Sequence, residues 1–196
     1  MAELIPPSYV DQLELATCFG RTAPVEVDLG CGDGGFLVDL AAQYPERDFL
    51  GIERLVGRVR SACAKAAHRK VQNVRVLRIE SGYAVRYLLP PASVDTFHLN
   101  FPDPWPKKRH QRRRIVTEEF VRAIGAALRT AGSLLIATDQ LDYFDAIRQL
   151  IASDGTFVER APGARDHLPL TAFERRFHNA GVAIHRLELV KAEPRI

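Results

Sequence analysis

Three groups of residues in this chain have types and spacings suited to chemistry. The first is Phe101 to Arg114, which holds the only Trp, Trp105, three of the twelve prolines and a single carboxylate, Asp103. Its last eight positions, Lys107 to Arg114, carry six of the 27 Lys/Arg residues and no acid. Without those six the chain has 21 basic residues against 24 acidic ones, so the net +3 is concentrated there. A local positive stripe suits a polyanion, and Lys107, Arg109, Arg112, Arg113 and Arg114 are candidates for phosphate contacts; the plain alternative is a solvated helix face. A carboxylate beside phosphates is electrostatically unfavourable, so Asp103 is expected to serve something else. The second group is Gly30-Cys31-Gly32-Asp33-Gly34-Gly35, with Asp28 just before it. The third consists of polar residues that close apolar runs: Asp28, Glu53, Asn100, Asp103 and Asp139.

The glycine segment satisfies G-x-G-x-x-G, and Glu53 follows about 20 residues on, where a ribose-binding acid is expected. Alone, the motif fits a dinucleotide as well as other nucleoside cofactors. Asp28 and Asp33 discriminate. A dinucleotide would set its pyrophosphate against this turn, where each nearby carboxylate opposes it by on the order of 1–4 kcal/mol. S-adenosyl-L-methionine has no phosphate there and offers a sulfonium and an ammonium, both cations. Asp28, Gly30, Gly32 and Gly34 therefore form a better cradle for that cofactor. Glu26 reads as a structural or supporting acid, and Cys31 as a small filler of the loop.

These residues need elements to position them. Val25 to Leu29 reads as a strand running into the glycine turn, and Phe36 to Tyr44 as a helix stopped by Pro45. Asp48 to Glu53, Asn73 to Ile79 and Val94 to Phe101 read as further strands, with a basic, Ala-rich helix over Val56 to Arg69. Thr117 looks like an N-cap for a helix reaching about Arg129 and ended by Ala131-Gly132. Ser133 to Thr138 forms a fifth strand, and Leu141 to Ser153 a helix. Thr156 to Arg160 and Val182 to Val190 are two late strands with little room for a helix between them. The alternation predicts an α/β fold: a mostly parallel sheet with helices on both faces and an antiparallel C-terminal edge. Residues 1–196 read as one domain, with 1–24 flanking it and Leu4, Ile5, Val10, Leu13 and Leu15 packing as a short helix. Arg160 to Leu170 is a long loop-like stretch of the kind that shapes sites. In open sheets of this kind ligands sit over the carboxyl ends of the strands, where Asp28, Glu53, Asn100, Asp103 and Asp139 converge.

Bulk properties exclude several classes. No apolar run approaches 18 residues, so no membrane span is expected. The N-terminus lacks the basic and apolar regions of a secretory signal. Cys18, Cys31 and Cys63 form neither a C-x-x-C pair nor a zinc pattern, and no His pair has ligand spacing, so no metal is expected. The three thiols read as reduced, which suits a cytoplasmic protein.

Asn100 to Arg113, NFPDPWPKKRHQRR, resembles the signature of the bacterial tRNA (guanine-N7-)-methyltransferases. The likeness continues in DFLGIE (Asp48 to Glu53), ATD (Ala137 to Asp139) and TAFERRF (Thr171 to Phe177), in that family's order, and covers roughly residues 25–190. It implies a Rossmann-like S-adenosylmethionine-dependent methyltransferase sheet, tRNA as partner and 7-methylguanine in the variable loop as product. It implies that Asp28, Glu53, Glu80 (followed by Ser81) and Asp103, with Asn100 beside them, hold the cofactor or the reacting centre. Lys107, Asp139 and the segment with Thr171, Phe173 and Glu174 are implied to meet the substrate. Three departures stand out: Asp28 where the family often has Glu, Glu80 where it usually has Asp, and a short N-terminal segment. No obligatory protein partner is implied, and a homo-oligomer stays open.

Guanine N7 has an exposed lone pair and no proton, so its methylation needs no general base. The enzyme's work is proximity and in-line alignment. Asp103 is expected to act catalytically by stabilising the charge that appears on the purine. Thr171, Phe173 and Glu174 are read either as a grip on a flipped-out guanine or as a helix start with Thr171 and Glu174 in a capping box; the two are compatible. Trp105 either stacks or pins its loop. Lys107 belongs either to the basic stripe or to the pocket. The competing readings are a methyltransferase of another RNA or of a small molecule, and a non-catalytic RNA-binding module.

Overall fold

A computed structural model of the chain describes residues 2–161, 163 and 167–192. Its strands are β1 (Glu3–Leu4), β2 (Val25–Leu29), β3 (Asp48–Ile52), β4 (Val74–Leu77), β5 (Val94–Asn100), β6 (Leu128–Thr138), β7 (Phe157–Glu159) and β8 (His185–Lys191). They form one sheet in the order β1-β4-β3-β2-β5-β6-β8-β7. Every pair from β1 to β6 is parallel, and β8 is antiparallel to both β6 and β7. This is the expected mostly parallel sheet with an antiparallel C-terminal edge.

The helices are α1 (Leu15–Phe19), α2 (Gly35–Gln43), α3 (Val56–His68), α4 (Ser81–Tyr83, continued by wider π-type turns to Leu88), α5 (Glu118–Ala127), α6 (Leu141–Asp154) and α7 (Ala172–Ala180). They cover both faces because β2 and β3 are buried on both sides, as central parallel strands are. One face packs Val27, Leu50 and Phe97 against Val85, Ile124 and Ile147. The other packs Phe49, Val74 and Val76 against Leu37, Val59 and Ala62 of α2 and α3.

Several boundaries differ from those expected. The helix opened by Thr117, whose hydroxyl accepts from Phe120 N at 3.2 Å, ends at Ala127 rather than near Arg129. Leu128 is fully buried and already pairs with Val94. Ala131-Gly132 lies where the β5–β6 register shifts, and a Cβ on Gly132 would meet Arg129 O at 2.9 Å. The Ala-Gly pair marks an irregularity inside a strand, not a helix stop. Residues 1–24 form no single helix: Glu3 and Leu4 pair with Val76 and Leu77 at the sheet edge, and α1 buries Leu15 and Phe19. A nine-residue helix, α7, does fit between β7 and β8. Of the long stretch from Arg160 to Leu170, Pro162, Ala164, Arg165 and Asp166 lie outside the described residues. His167 and Leu168 pack near the C-terminal end of α2, where the His167 carbonyl accepts from Gln43 at 3.0 Å, and neither lines the cleft described below.

A buried polar cluster ties β2 to its neighbours. Glu26 Oε2 lies 2.7 Å from His98 Nε2 on β5, and Oε1 accepts from Arg47 Nη1 at 2.8 Å. Burial alone would raise this carboxyl; the hydrogen bond and charge of His98, with Arg47, outweigh it and hold Glu26 below its ordinary 4.5. A depressed carboxyl contributes stability that is present above the unfolded value and lost as pH falls through the folded one. Glu26→Gln is therefore expected to lower the denaturation midpoint at pH 7 and to flatten the loss of stability below pH 4.5, read from urea titrations across that range.

Candidate active site

The strand order reverses between β2 and β5: β3 and β4 lie on one side of β2, and β5 and β6 on the other. Such a switch point opens a crevice at the carboxyl ends of the strands. Here it is a cleft of about 640 Å³, whose walls include Gly30, Glu53, Glu80, Asn100, Asp103 and Trp105.

The turn after β2 meets the cleft at Gly30, while Gly32 and Gly34 lie outside its lining. Gly30, Gly32 and Gly34 all have left-handed φ, at 75°, 57° and 75°. At Gly34 a side chain is also sterically excluded, because a Cβ would lie 2.5 Å from Ala62 Cβ on α3. Gly34→Ala is expected to cost about 2–4 kcal/mol from this overlap and the αL backbone together. A matching shift in the denaturant midpoint would register it.

Five of the six backbone amides from Gly30 to Gly35 are already used. Gly30 N and Cys31 N donate to Ile52 O at 2.8 and 3.0 Å, and Gly34 N donates to Cys31 O at 3.0 Å. Gly32 N donates to Glu53 Oε2 at 3.2 Å, and Gly35 N to Asp33 Oδ1 at 3.2 Å. A pyrophosphate would need such amides free. The turn fits a nucleoside cofactor with no phosphate at this point, which is the case for S-adenosylmethionine.

Glu53, 6% exposed, closes β3. Its Oε2 accepts from Gly32 N; its Oε1 accepts from Leu55 N at 2.9 Å, and Arg58 Nη1 approaches to 3.8 Å. A carboxylate has about four lone-pair sites, so acceptor capacity remains for a pair of ribose hydroxyls. Glu80 caps α4 by accepting from Gly82 N at 2.8 Å and Tyr83 N at 2.7 Å, and it lines the same cleft with Ser81. Asp28 lies deeper. It is 4% exposed, pairs in register with Gly51 and His98, and is not among the cleft's lining residues. Burial pushes the Cys31 thiol well up, and the Asp28 and Glu53 carboxylates push it the same way. Cys31 is thus no thiolate nucleophile, in keeping with a filler role.

The opposite wall is the segment after β5. Phe101 and Trp105 hold left-handed φ of 52° and 42°. Each such non-glycine conformation costs of order 1–3 kcal/mol and persists only where surroundings enforce it. Phe101 N donates to Ala137 O at 2.7 Å, and its ring packs on Phe173 and Phe177 of α7 at 5.6 and 5.4 Å. Trp105 is covered by the Arg113 guanidinium at 4.9 Å and edged by His110 at 5.9 Å, so it both pins the loop and lines the cleft. Asp103, exposed between these anchors, lines the cleft, and among the described residues no cation lies within 4.0 Å of it.

The basic stripe divides. Lys107, Lys108, Arg109 and Arg112 are exposed, on or just before the tight 3-10 turns of Lys108–Arg113. Arg113 turns back over Trp105 into the cleft wall. Arg114 is no phosphate contact: it donates to Pro104 O at 2.8 Å and Asp142 at 2.7 Å and covers the Tyr143 ring. Asp139 follows β6 and accepts from Gln140 Nε2 at 2.6 Å, outside the cleft lining. Thr171 and Glu174 form the complete capping box: Thr171 Oγ1 accepts from Glu174 N at 3.0 Å, and Glu174 Oε2 accepts from Thr171 N at 2.8 Å. Arg186 takes the other oxygen of Glu174 at 3.0 Å, so this carboxylate is buried and engaged within the protein. Phe173, 48% exposed, is the member of that segment facing outward beside Phe101.

The cleft also contains residues not singled out from the sequence: Arg54, Leu55 and Arg58 after β3, and Phe101 itself. Arg54 does begin a long run free of acids, but that run does not mark which of its residues line the cleft. Among the described residues no helix is long and apolar enough to cross a membrane, and no group of three His, Cys, Asp or Glu could hold a metal ion.

Residues 22–187 match a family described as "Putative methyltransferase". A tRNA (guanine-N(7)-)-methyltransferase of Leifsonia xyli subsp. xyli is 40% identical over 201 aligned positions, covering 96% of this chain and 87% of that one. The enzyme of the same description from Halorhodospira halophila is 38% identical over 181 residues, covering 89% and 78%. The crystal structure of the antibiotic-resistance methyltransferase Kmr superposes with a TM-score of 0.65 at 18% identity, covering 98% and 96%, which speaks for the fold alone. By this family match and these identities over most of its length, the chain belongs to the tRNA (guanine-N(7)-)-methyltransferase family.

Proposed function

We propose that this chain transfers a methyl group from S-adenosylmethionine to N7 of a guanine in the variable loop of tRNA, in the cytoplasm. The observation that carries this best is one cleft with a ribose-type acid, Glu53, on one wall and Asp103 on the other, with the exposed basic turn following Asp103 in the chain. The cofactor, when bound, supplies an electrophilic methyl group on a cationic sulfur. Glu53 accepts from the ribose, and the glycine turn leaves room for the nucleoside. Glu80 and Ser81 line the cleft beyond β4, and Asn100 lines it at the end of β5. Asp28 acts from beneath, through the field at the turn.

Guanine N7 carries no proton, so no residue here acts as a base. Phe101 and Trp105, held by α7 and Arg113, keep the wall rigid and exclude water from one side. Asp103 faces the purine as it becomes cationic. Phe173 offers an exposed ring beside Phe101 for stacking. In this arrangement Glu174 and Thr171 hold α7 in place, and reading of the base by Glu174 would require Arg186 to let go. Lys107, Arg109 and Arg112 hold phosphates and set register rather than read bases.

The test is transfer of labelled methyl from S-adenosylmethionine to bulk tRNA, ribosomal RNA and a small-molecule pool in parallel. Label entering tRNA alone is expected; label in another pool, or none with cofactor bound, contradicts the proposal. Replacing Arg109 and Arg112 with Gln is expected to reduce the slope of log affinity for tRNA against log salt by about 2, one per phosphate contact. Filter binding from 50 to 200 mM salt measures it.

A further inference from the structure

The Lys107–Arg112 turn is not the sole acid-free basic segment in the sequence. From Arg54 to Ile79 the chain carries eight Lys/Arg and no Asp or Glu. Part of this charge is neutralised by the fold: Lys65 pairs with Asp33 at 2.6 Å and Arg69 with Asp39 at 2.6 Å. Arg75 is spent on backbone carbonyls, including Cys18 O at 2.8 Å. Four others, Arg54, Arg60, Lys70 and Arg78, are exposed with no acidic partner within 4.0 Å among the described residues, and of these only Arg54 and Arg78 stand just past the carboxyl ends of strands. The nearest acids in sequence are otherwise engaged, Glu53 with Gly32 N and Leu55 N and Glu80 with its helix cap.

Their placement is specific. Ile52 pairs with Leu77, so Arg54 and Arg78 follow the carboxyl ends of two adjacent strands, β3 and β4, about 5 Å apart in a sheet. That rim borders the cleft: Arg54 lines it, and Ile79, next to Arg78, lines it too. The Lys107–Arg112 turn follows β5, on the other side of β2. The cleft thus lies between two basic rims, while its walls carry Glu53 and Asp103. An extended polyanion crossing such a cleft meets cations before and after it and places the unit between them over the reacting centre. A protein partner would leave the acid-free run from Arg54 to Ile79 unexplained, whereas a phosphate backbone accounts for it.

We propose that Arg54 and Arg78 form a second contact for the tRNA backbone, on the side of the cleft opposite Lys107, Arg109 and Arg112. The proposal rests on tRNA being the substrate. Its test uses the full chain with Arg78→Gln, and with Arg54→Gln added, in tRNA filter binding across salt together with calorimetric titration of S-adenosylmethionine. Arg78→Gln is expected to lower the salt slope by about 1, and the double variant by about 2. Cofactor affinity of Arg78→Gln is expected to match that of the unaltered chain. An unchanged slope in both variants, with the unaltered chain binding and methylating tRNA, overturns this proposal and leaves the proposed function standing. Weakened cofactor binding by Arg78→Gln with an unchanged slope also overturns it, by returning the residue to the cofactor site. If the unaltered chain neither binds nor methylates tRNA, both proposals fall.

Discussion

Asp103→Ala is expected to reduce methyl transfer by about 10- to 100-fold, with tRNA affinity essentially retained. During the reaction positive charge leaves the cofactor sulfur and appears on the purine. A carboxylate lowers the barrier only if it favours the second location over the first, because only differential stabilisation counts. A unit pair near 4 Å is worth up to about 4 kcal/mol at an effective dielectric of 20, and cancellation at the sulfur leaves roughly 1–3 kcal/mol. Asp103 lines the cleft between the anchored residues Phe101 and Trp105, and among the described residues no cation within 4.0 Å competes for it. Asp103→Asn keeps the shape and hydrogen-bonding capacity but not the charge, and is expected to lose nearly as much. Single-turnover rates and equilibrium tRNA binding, measured side by side, separate the effects. Equal losses in both would return Asp103 to a binding role.

Glu53→Ala is expected to have the larger effect on the cofactor, lowering S-adenosylmethionine affinity by about 100-fold or more. Two hydrogen bonds from ribose to an ionised acceptor are worth together about 3 kcal/mol or more. The same change strips Gly32 N and Leu55 N of their acceptor, so the glycine turn loses its tie to β3. A stability loss of about 1–3 kcal/mol is expected with it. Glu53→Gln, which keeps one acceptor oxygen, falls between. Calorimetry gives the affinities and denaturant titration the stability; retained cofactor affinity in Glu53→Ala would place the ribose elsewhere.

Much of the sheet was legible because its central strands are short apolar runs ending in glycine or acid, and Thr117 followed by Glu118 and Glu119 is a strong helix start. What failed did so for tertiary reasons. Ala131-Gly132 after an amphipathic stretch has the local form of a helix stop, yet Leu128 pairs with Val94 and draws the segment into β6. The turns from Ser81 to Leu88 are too short for periodicity to declare, and their cap, Glu80, reads equally well as a strand-end acid.

At the site, Glu53 and Asp103 were recognisable from their positions just past strand ends. Arg54, Leu55 and Phe101 were not, because lining a cleft depends on how the chain turns after a strand. The basic stripe looked uniform in sequence and is not. Arg114 is withdrawn by Asp142 and Tyr143, 28 and 29 residues away, whereas Arg113 stays exposed while its guanidinium covers Trp105. Thr171 and Glu174 carried two compatible expectations, and the capping box is formed in full.

The central claim is the chemical identity of the product. The most direct measurement is nucleoside digestion and mass spectrometry of tRNA lacking 7-methylguanosine, after incubation with this chain and S-adenosylmethionine, with strand scission at the modified base to locate it. The account predicts 7-methylguanosine as the new nucleoside, at a variable-loop guanine. A different methylated nucleoside, or 7-methylguanosine confined to another region of the tRNA, would contradict it.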